Sequence, residues 1–167
     1  CEVALLLVTL VAGGCNNIDD NAIPNLPVYI DLAGPALWQT YGVGAFGQNR
    51  RFIKSLGEPR DFAYSSRTYT GFGGVLLVCG FNPFTTESMV PMAFDLSCPV
   101  EAKPDVRVAM QTDGMLPQAV CPVCGSHYNV CEQAGAPMSG PAKSRKLGLK
   151  RYECRQSQYG GYLITDY

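Results

Sequence analysis

The sequence CPVCG at residues 121–125 constrains the fold of this chain more than any other feature. Two cysteines three positions apart, with proline after the first and glycine after the second, form a tight turn that directs both sulfur atoms to one point. Glycine at position 125 adopts a positive φ without steric cost. Such a turn is typical of metal sites, and the sequence CPV at residues 98–100 looks like its second half. The motif therefore predicts a two-part thiol site.

Length and composition indicate a β-rich globular protein. The 167 residues are enough for one domain with a hydrophobic core. The 18 Gly, 12 Pro, 9 Tyr and 7 Phe predict many short strands joined by turns. A formal net charge of −1 gives no reason to expect a nucleic-acid partner. Because the chain has a single histidine, no nucleophile–base pair is recognisable, and no catalytic residues are predicted.

The hydrophobic pattern predicts an all-β fold. The apolar run at residues 75–79 is the clearest buried strand, and Cys79 at its end is expected in the core. The glycines at residues 42–47 match a dinucleotide-binding GxGxxG, but no βαβ pattern surrounds them, so we expect a surface loop. Residues 135–142 are expected to form a rigid loop. Further strands are predicted at residues 27–32, 92–97, 106–110, 127–130, 146–155 and 161–165.

The first 26 residues are predicted to direct export and membrane attachment. Residues 3–11 form an apolar run that is short for a bilayer span and typical of a signal-peptide core. Small residues then precede Cys15, as in bacterial lipoprotein signals. We therefore expect residues 1–14 to be part of a signal peptide, Cys15 to be lipidated, and residues 15–26 to form a tether in the cell envelope. A buried N-terminal strand is the alternative.

Several motifs in the second half of the chain resemble those of Rieske iron–sulfur domains. They are AFD at 93–95, CPVE at 98–101, CPVCGSHY at 121–128, SGPA at 139–142 and GYLI at 161–164. The chain is similar in particular to Rieske-like lipoproteins of Bacteroidetes-type bacteria. The resemblance implies an antiparallel β base domain at residues 27–167. It also implies an inserted small cluster-binding, rubredoxin-like subdomain at about residues 96–142.

The resemblance implies which residues form the metal site. A Rieske centre holds a 2Fe–2S cluster with two cysteines on one iron and two histidines on the other. Cys98 and Cys121 match the two cysteine ligands. Cys124 stands at the position of one histidine, and Val100 stands at the position of the other. A cysteine thiolate can bind a metal in place of a histidine imidazole, but a valine side chain cannot. Three protein ligands are therefore predicted where the family has four.

The residues around the ligands match the family more fully. Ser126 and Tyr128 match the positions that hydrogen-bond a bridging sulfide and a ligand sulfur, and Pro141 matches the loop that covers the cluster. Their alternative role is to hold a β-turn and a small aromatic core. His127, between the serine and the tyrosine, is not expected to be a ligand.

Four states of such a site are open. It could hold a cluster on three thiolates, a zinc ion completed by Cys131, or a CxxC thiol switch. The metal-free state is favoured, because the fourth position is aliphatic. For an exported protein the resemblance then implies a disulfide between Cys98 and either Cys121 or Cys124. The family places Cys98 and Cys121 on the same iron, so Cys121 is the favoured partner.

Two functions follow from these states. The favoured one is an exported lipoprotein that keeps a Rieske-like scaffold, without a cofactor, as a structural or binding module. The alternative is a 2Fe–2S electron-transfer protein with three cysteine ligands. In both, the lipid anchor contacts the membrane, and a redox or envelope protein is the expected partner. Basic residues at positions 143–155 are expected to be solvated, with docking of an acidic partner as the alternative.

Overall fold

Eleven strands and two short α-helices form the part of the chain that the structure describes, a computed structural model of residues 17–112 and 116–167. All pairs between these strands are antiparallel, which confirms the predicted all-β class. No helix in the described ranges combines the length and the apolar character that a membrane crossing requires. In chain order the elements are β1 (Val28–Leu32), α1 (Pro35–Tyr41), β2 (Asn49–Phe52), a 3₁₀-helix (Lys54–Leu56), β3 (Tyr69–Thr70), β4 (Val75–Asn82), β5 (Glu87–Asp95), β6 (Ala109–Gln111), β7 (Gln118–Val120), β8 (His127–Asn129), β9 (Ala136–Ser139), α2 (Gly140–Arg145), β10 (Arg151–Gln156) and β11 (Tyr162–Thr165).

The strands form two sheets. The larger sheet has seven strands in the order β2-β4-β5-β10-β11-β1-β3, and the smaller sheet has four in the order β6-β7-β8-β9. Strands β5 and β10 pair directly, with Phe94 opposite Arg151 and Ala93 opposite Tyr152. In the sequence, all four strands of the smaller sheet therefore come between β5 and β10, which are neighbours in the larger sheet.

Strand β4 is buried on both faces, as the continuous apolar run predicts. Successive side chains of a strand point to opposite faces, so β4 contributes to two separate cores. Leu76 and Val78 lie in the core that also contains side chains of the smaller sheet. Leu77 and Cys79 lie in the second core, together with residues of β1, β2 and β11. The predicted core position of Cys79 is confirmed.

The core between the sheets includes the candidate site itself. Cys98, Cys121 and Tyr128 are buried in it, and Cys124 packs against it. The sulfurs of Cys98 and Cys121 are therefore part of the hydrophobic interior, and Cys124 lies at its edge.

The prediction of a rigid loop at residues 135–142 is wrong. The chain there forms β9, which pairs with β8, and then enters α2. The two prolines suggested a loop because proline cannot donate a ladder hydrogen bond, but β9 is an edge strand, where proline is tolerated. Pro141 lies in the first helical turn, which proline also favours.

Other predicted boundaries shift by several residues. Strand β5 begins at Glu87, five residues before its predicted start at residue 92. Strands β6 and β10 begin at Ala109 and Arg151, later than their predicted starts at residues 106 and 146. Residues 42–47 lie between α1 and β2 without regular structure, as expected for a loop. The predicted signal peptide at residues 1–14 and the lipidation site Cys15 lie outside the described residues.

Part of the predicted tether packs on the folded domain. Asp20 forms an ion pair with Arg151 at 2.8 Å, and the Oδ1 of Asn21 accepts a hydrogen bond from Lys150 at 3.2 Å. Ile23 is buried. The segment from residue 19 onward is therefore held against the start of β10 by polar and apolar contacts.

Candidate metal centre

Three cysteines from two loops converge on one point, one loop after a strand of the larger sheet and one within the smaller sheet. Cys98 follows the end of β5, whereas Cys121 and Cys124 flank the turn between β7 and β8. Their sulfur atoms all lie within 4.8 Å of one another, and the Sγ atoms of Cys98 and Cys124 are 3.7 Å apart. The structure thus brings together the three residues that the sequence proposed as ligands.

The turn at residues 121–125 has the geometry that the glycine predicts. Gly125 has φ +66°, and its N–H donates to the Cys121 carbonyl at 3.0 Å. The Cys121 N–H donates in turn to the Ser126 carbonyl at 2.9 Å. A Cβ at Gly125 would meet no neighbouring atom, so the left-handed backbone is the reason that glycine suits this position.

The loop that carries Cys98 is held by a buried carboxylate, Asp95. Asp95 Oδ1 accepts a hydrogen bond from the Ser97 N–H at 2.7 Å. The same side chain accepts from the N–H groups of Phe72 and Gly73, both at 2.9 Å, and from the Tyr152 hydroxyl at 2.6 Å. This network fixes the backbone one residue before Cys98. Asp95 belongs to the AFD motif of the resemblance, but nothing in the sequence indicated that its carboxylate holds the Cys98 loop.

Two hydroxyl groups contact the sulfur atoms. The Tyr128 Oη lies 3.4 Å from the Cys98 Sγ, and the Ser126 Oγ lies 3.1 Å from the Cys124 Sγ. The Ser126 Oγ accepts the Cys124 S–H and, at 3.0 Å, the Ala142 N–H; once Cys124 ionises, the same hydroxyl can donate to the thiolate. Pro141, the third of the predicted supporting residues, is exposed on α2 next to this contact.

The thiols of the CxxC turn differ in acidity. Burial raises the pKa of Cys121 to about 12, although the backbone N–H groups of Cys124 and Val123 oppose this rise. Burial also acts to raise the pKa of Cys124, but hydrogen bonds from the Ser126 hydroxyl and backbone outweigh it and lower this pKa below its usual value. Hydrogen bonds to the charged form favour that form. Cys124 is therefore the thiol of the pair that ionises more readily.

No fourth protein ligand joins the three sulfurs among the residues that the structure describes. The Nδ1 of His127 lies 2.9 Å from the Gln118 Oε1, and alternation along β8 directs His127 away from the face of Tyr128. Cys131 is buried in the same core but outside the group. Val100 packs against that core as a half-buried aliphatic side chain.

The predicted disulfide is not present in this structure. All six cysteines in the described ranges are free thiols. The 3.7 Å between the sulfurs of Cys98 and Cys124 is a contact distance, because a disulfide bond is about 2.05 Å long. The favoured pairing of Cys98 with Cys121 is equally unformed.

This donor set does not fit the cluster that the Rieske resemblance implies. A Rieske cluster needs two nitrogen ligands on its second iron. Here the only histidine is hydrogen-bonded elsewhere, and the donors are three sulfurs around one point. A single thiolate-bound ion fits better: bonds of about 2.3 Å in a tetrahedron place two sulfurs about 3.8 Å apart. The 3.7 Å between the sulfurs of Cys98 and Cys124 agrees with that spacing, and Cys121 Sγ lies within 4.8 Å of both.

The basic residues near the site are only partly solvated, in contrast to the expectation. Lys150 is buried and Arg151 is half-buried, whereas Arg155, paired with Glu153 at 2.7 Å, is exposed. Lys143, Arg145 and Lys146, on and after α2, are exposed as predicted.

Comparison with known proteins adds no relative. No protein-family model, curated protein or solved structure matches this chain. The resemblance to Rieske domains therefore depends on the motifs at residues 93–164. What the molecule itself establishes is an all-β fold with three clustered cysteine thiols that are compatible with metal binding.

Proposed function

We propose that this chain is a metal-binding module in which Cys98, Cys121 and Cys124 hold one thiophilic divalent ion such as Zn²⁺. The observation that carries the proposal is the convergence of three sulfurs within 4.8 Å in a hydrophobic core. Thiolate ligands favour soft metal ions over Mg²⁺ or Ca²⁺. The ion would neutralise thiolates that are otherwise costly to bury.

The contacts around the sulfurs support this assignment. The Ser126 hydroxyl contacts Cys124, and the Tyr128 hydroxyl contacts Cys98. Backbone N–H groups of the turn stabilise a thiolate at Cys121, as the direction of their effect on its pKa indicates. Partners of this kind orient metal ligands and tune the metal.

Three protein ligands leave one position on the ion for another ligand. Structural zinc sites are closed by four protein ligands, whereas sites with three keep a place for water or substrate. Cys124 is the partly exposed member of the triad, so the remaining position is expected on its side. The proposed module therefore binds an exchangeable ligand at the metal and is not a closed structural site.

The proposal also includes a place in the cell. The apolar run at residues 3–11 and the cysteine at position 15 support an exported lipoprotein anchored in the cell envelope, and the motifs at residues 93–164 support a Rieske-like scaffold. In that setting an envelope protein is the expected partner, as donor or acceptor of the metal.

A 2Fe–2S electron-transfer protein is the second candidate. The contacts of Ser126 and Tyr128 with the cysteine sulfurs favour it, since the family uses these positions to tune its cluster. It requires an outside fourth ligand, because Val100 offers none.

Anaerobic purification followed by metal analysis separates the two candidates. One colourless ion per chain supports the proposed site, and iron with a visible sulfide spectrum supports the second candidate. Metal-free protein is then titrated with Co²⁺, for which thiolate ligation gives intense charge-transfer absorption. We expect one Co²⁺ per chain, and at least about tenfold weaker binding after Cys98→Ser, Cys121→Ser or Cys124→Ser.

The matched control is Cys154→Ser, because Cys154 is a free thiol outside the triad. It should bind Co²⁺ like the parent. Absence of Co²⁺ binding by the folded parent would reject the metal site.

A further inference from the structure

We infer that Cys124 and Cys98 form a dithiol that reduces hydroperoxides, with Cys124 as the attacking thiol and Cys98 as the resolving thiol. Their sulfur atoms are 3.7 Å apart and lie on different loops of the fold, the one after β5 and the one before β8. The inference concerns the metal-free thiols and does not require that the proposed metal site exists.

The two thiols differ in access to an oxidant. Cys98 and Cys121 are buried, whereas Cys124 is partly exposed at the turn. Pro122 and Val123 in the same turn are exposed as well. A dissolved peroxide therefore meets Cys124 first. Oxidation-sensitive cysteines are typically accessible and placed beside a second cysteine that resolves the product.

The contacts of each sulfur fit these separate roles. The Ser126 Oγ lies 3.1 Å from the Cys124 Sγ, where its hydroxyl can hydrogen-bond the oxygen that this sulfur gains. The Tyr128 Oη, 3.4 Å from the Cys98 Sγ, holds the resolving sulfur in its place against the core. Cys121 is within the same group of sulfurs but remains a thiol in the proposed reaction.

The reaction balances with the hydroperoxide as the only oxidant. In the first step the Cys124 thiol attacks the peroxide: the O–O bond breaks, a sulfenic acid forms at Cys124, and an alcohol or water leaves. In the second step the Cys98 thiol attacks that sulfenic sulfur, an S–S bond forms and water leaves. Two electrons pass from the two thiols to the peroxide. The sulfurs approach from 3.7 Å to about 2.05 Å.

The test uses the full chain, reduced and freed of metal, with hydrogen peroxide as the probe. Intact-mass analysis should show loss of two hydrogen atoms, and peptide mapping should find a Cys98–Cys124 crosslink. The Cys121→Ser variant should form the same crosslink. In Cys98→Ser the reaction should stop at a sulfenic acid on Cys124, which dimedone labels. The Cys154→Ser control should behave like the parent.

Two results would overturn the inference. One is a crosslink in the parent that joins Cys121 to either other cysteine in place of Cys98–Cys124. The other is a folded Cys98→Ser variant whose Cys124 gains no dimedone label. Peptide mapping of the parent chain shows which two cysteines are crosslinked even if a variant fails to fold.

Co²⁺ titration of the same preparation keeps this inference separate from the metal site. Protein that forms the Cys98–Cys124 disulfide but binds no Co²⁺ supports the dithiol and rejects the metal site. Protein that binds Co²⁺ but, when metal-free, forms no such disulfide overturns the dithiol alone.

Discussion

The phenol oxygen of Tyr128 lies 3.4 Å from the sulfur of Cys98, and both side chains are completely buried. This contact joins strand β8 of the smaller sheet to the loop that follows β5 of the larger one. The site is thereby tied to both sheets, so its geometry depends on the fold as a whole.

Removing that hydroxyl should weaken the site and the fold together. Tyr128→Phe is expected to lower the free energy of unfolding by about 1 kcal/mol, because one buried hydrogen bond is lost. It should also weaken Co²⁺ binding by about tenfold, as loss of a ligand's hydrogen-bond partner typically does. Urea unfolding and Co²⁺ titration measure the two effects. Tyr159→Phe, at an exposed tyrosine, is the control; equal affinity of the two variants would contradict the role of Tyr128.

Cys124 should be the first cysteine that iodoacetamide alkylates in the metal-free protein. Burial acts to raise its pKa, but the Ser126 hydrogen bonds outweigh this and lower the pKa, so more thiolate is present at neutral pH. Ser126→Ala should move the midpoint of the rate–pH profile upward. Ser144→Ala changes an exposed serine on α2 and should leave the profile as it is. A midpoint that Ser126→Ala does not move would contradict this account.

Metal affinity should rise with pH. The pKa of Cys121 is raised to about 12 by burial, so its thiol is protonated at neutral pH and must release that proton to bind a metal. Each proton released makes the apparent affinity about tenfold higher per pH unit. Co²⁺ titrations between about pH 6 and pH 8 are the measurement. An affinity that is constant over this range would show that Cys121 binds no metal as a thiolate.

Asp95 should contribute strongly to stability. Asp95→Asn is expected to lower the free energy of unfolding by about 2–4 kcal/mol, because an amide nitrogen would then face N–H and O–H donors in a buried site. Urea unfolding monitors the change. Asp61→Asn, on an exposed aspartate, should have an effect below about 0.5 kcal/mol. Equal stability of the two variants would exclude the proposed network.

The Rieske resemblance can be tested by restoring both missing histidines. The double variant Val100→His with Cys124→His should take up a 2Fe–2S cluster on anaerobic reconstitution, because it supplies the two nitrogen ligands that the family uses. Iron and sulfide analysis with a visible spectrum detects the cluster. The control pairs Cys124→His with Val123→His, since Val123 is 62% exposed on the outside of the turn. If the folded Val100→His/Cys124→His variant takes up no cluster, the site does not correspond to a Rieske cluster site.

The features that local chemistry specifies were predictable. The run at residues 75–79 has no polar residue to place in water, so it had to be a buried strand. Gly125 could be recognised because a left-handed backbone after the second cysteine favours glycine strongly. Strand β9 was missed because edge position, which makes Pro137 acceptable, is a property of the finished sheet.

The amino-acid sequence by itself determined the all-β class and the central buried strand, which follow from residue type and short-range spacing. The set of three thiols was what the motif resemblance implied. Only the tertiary structure decided that Asp95 holds the Cys98 loop, that His127 points to Gln118, and that the sulfurs lie 3.7 Å apart without a bond. Those relationships depend on pairing between strands far apart in the chain, and residue spacing does not encode such distances.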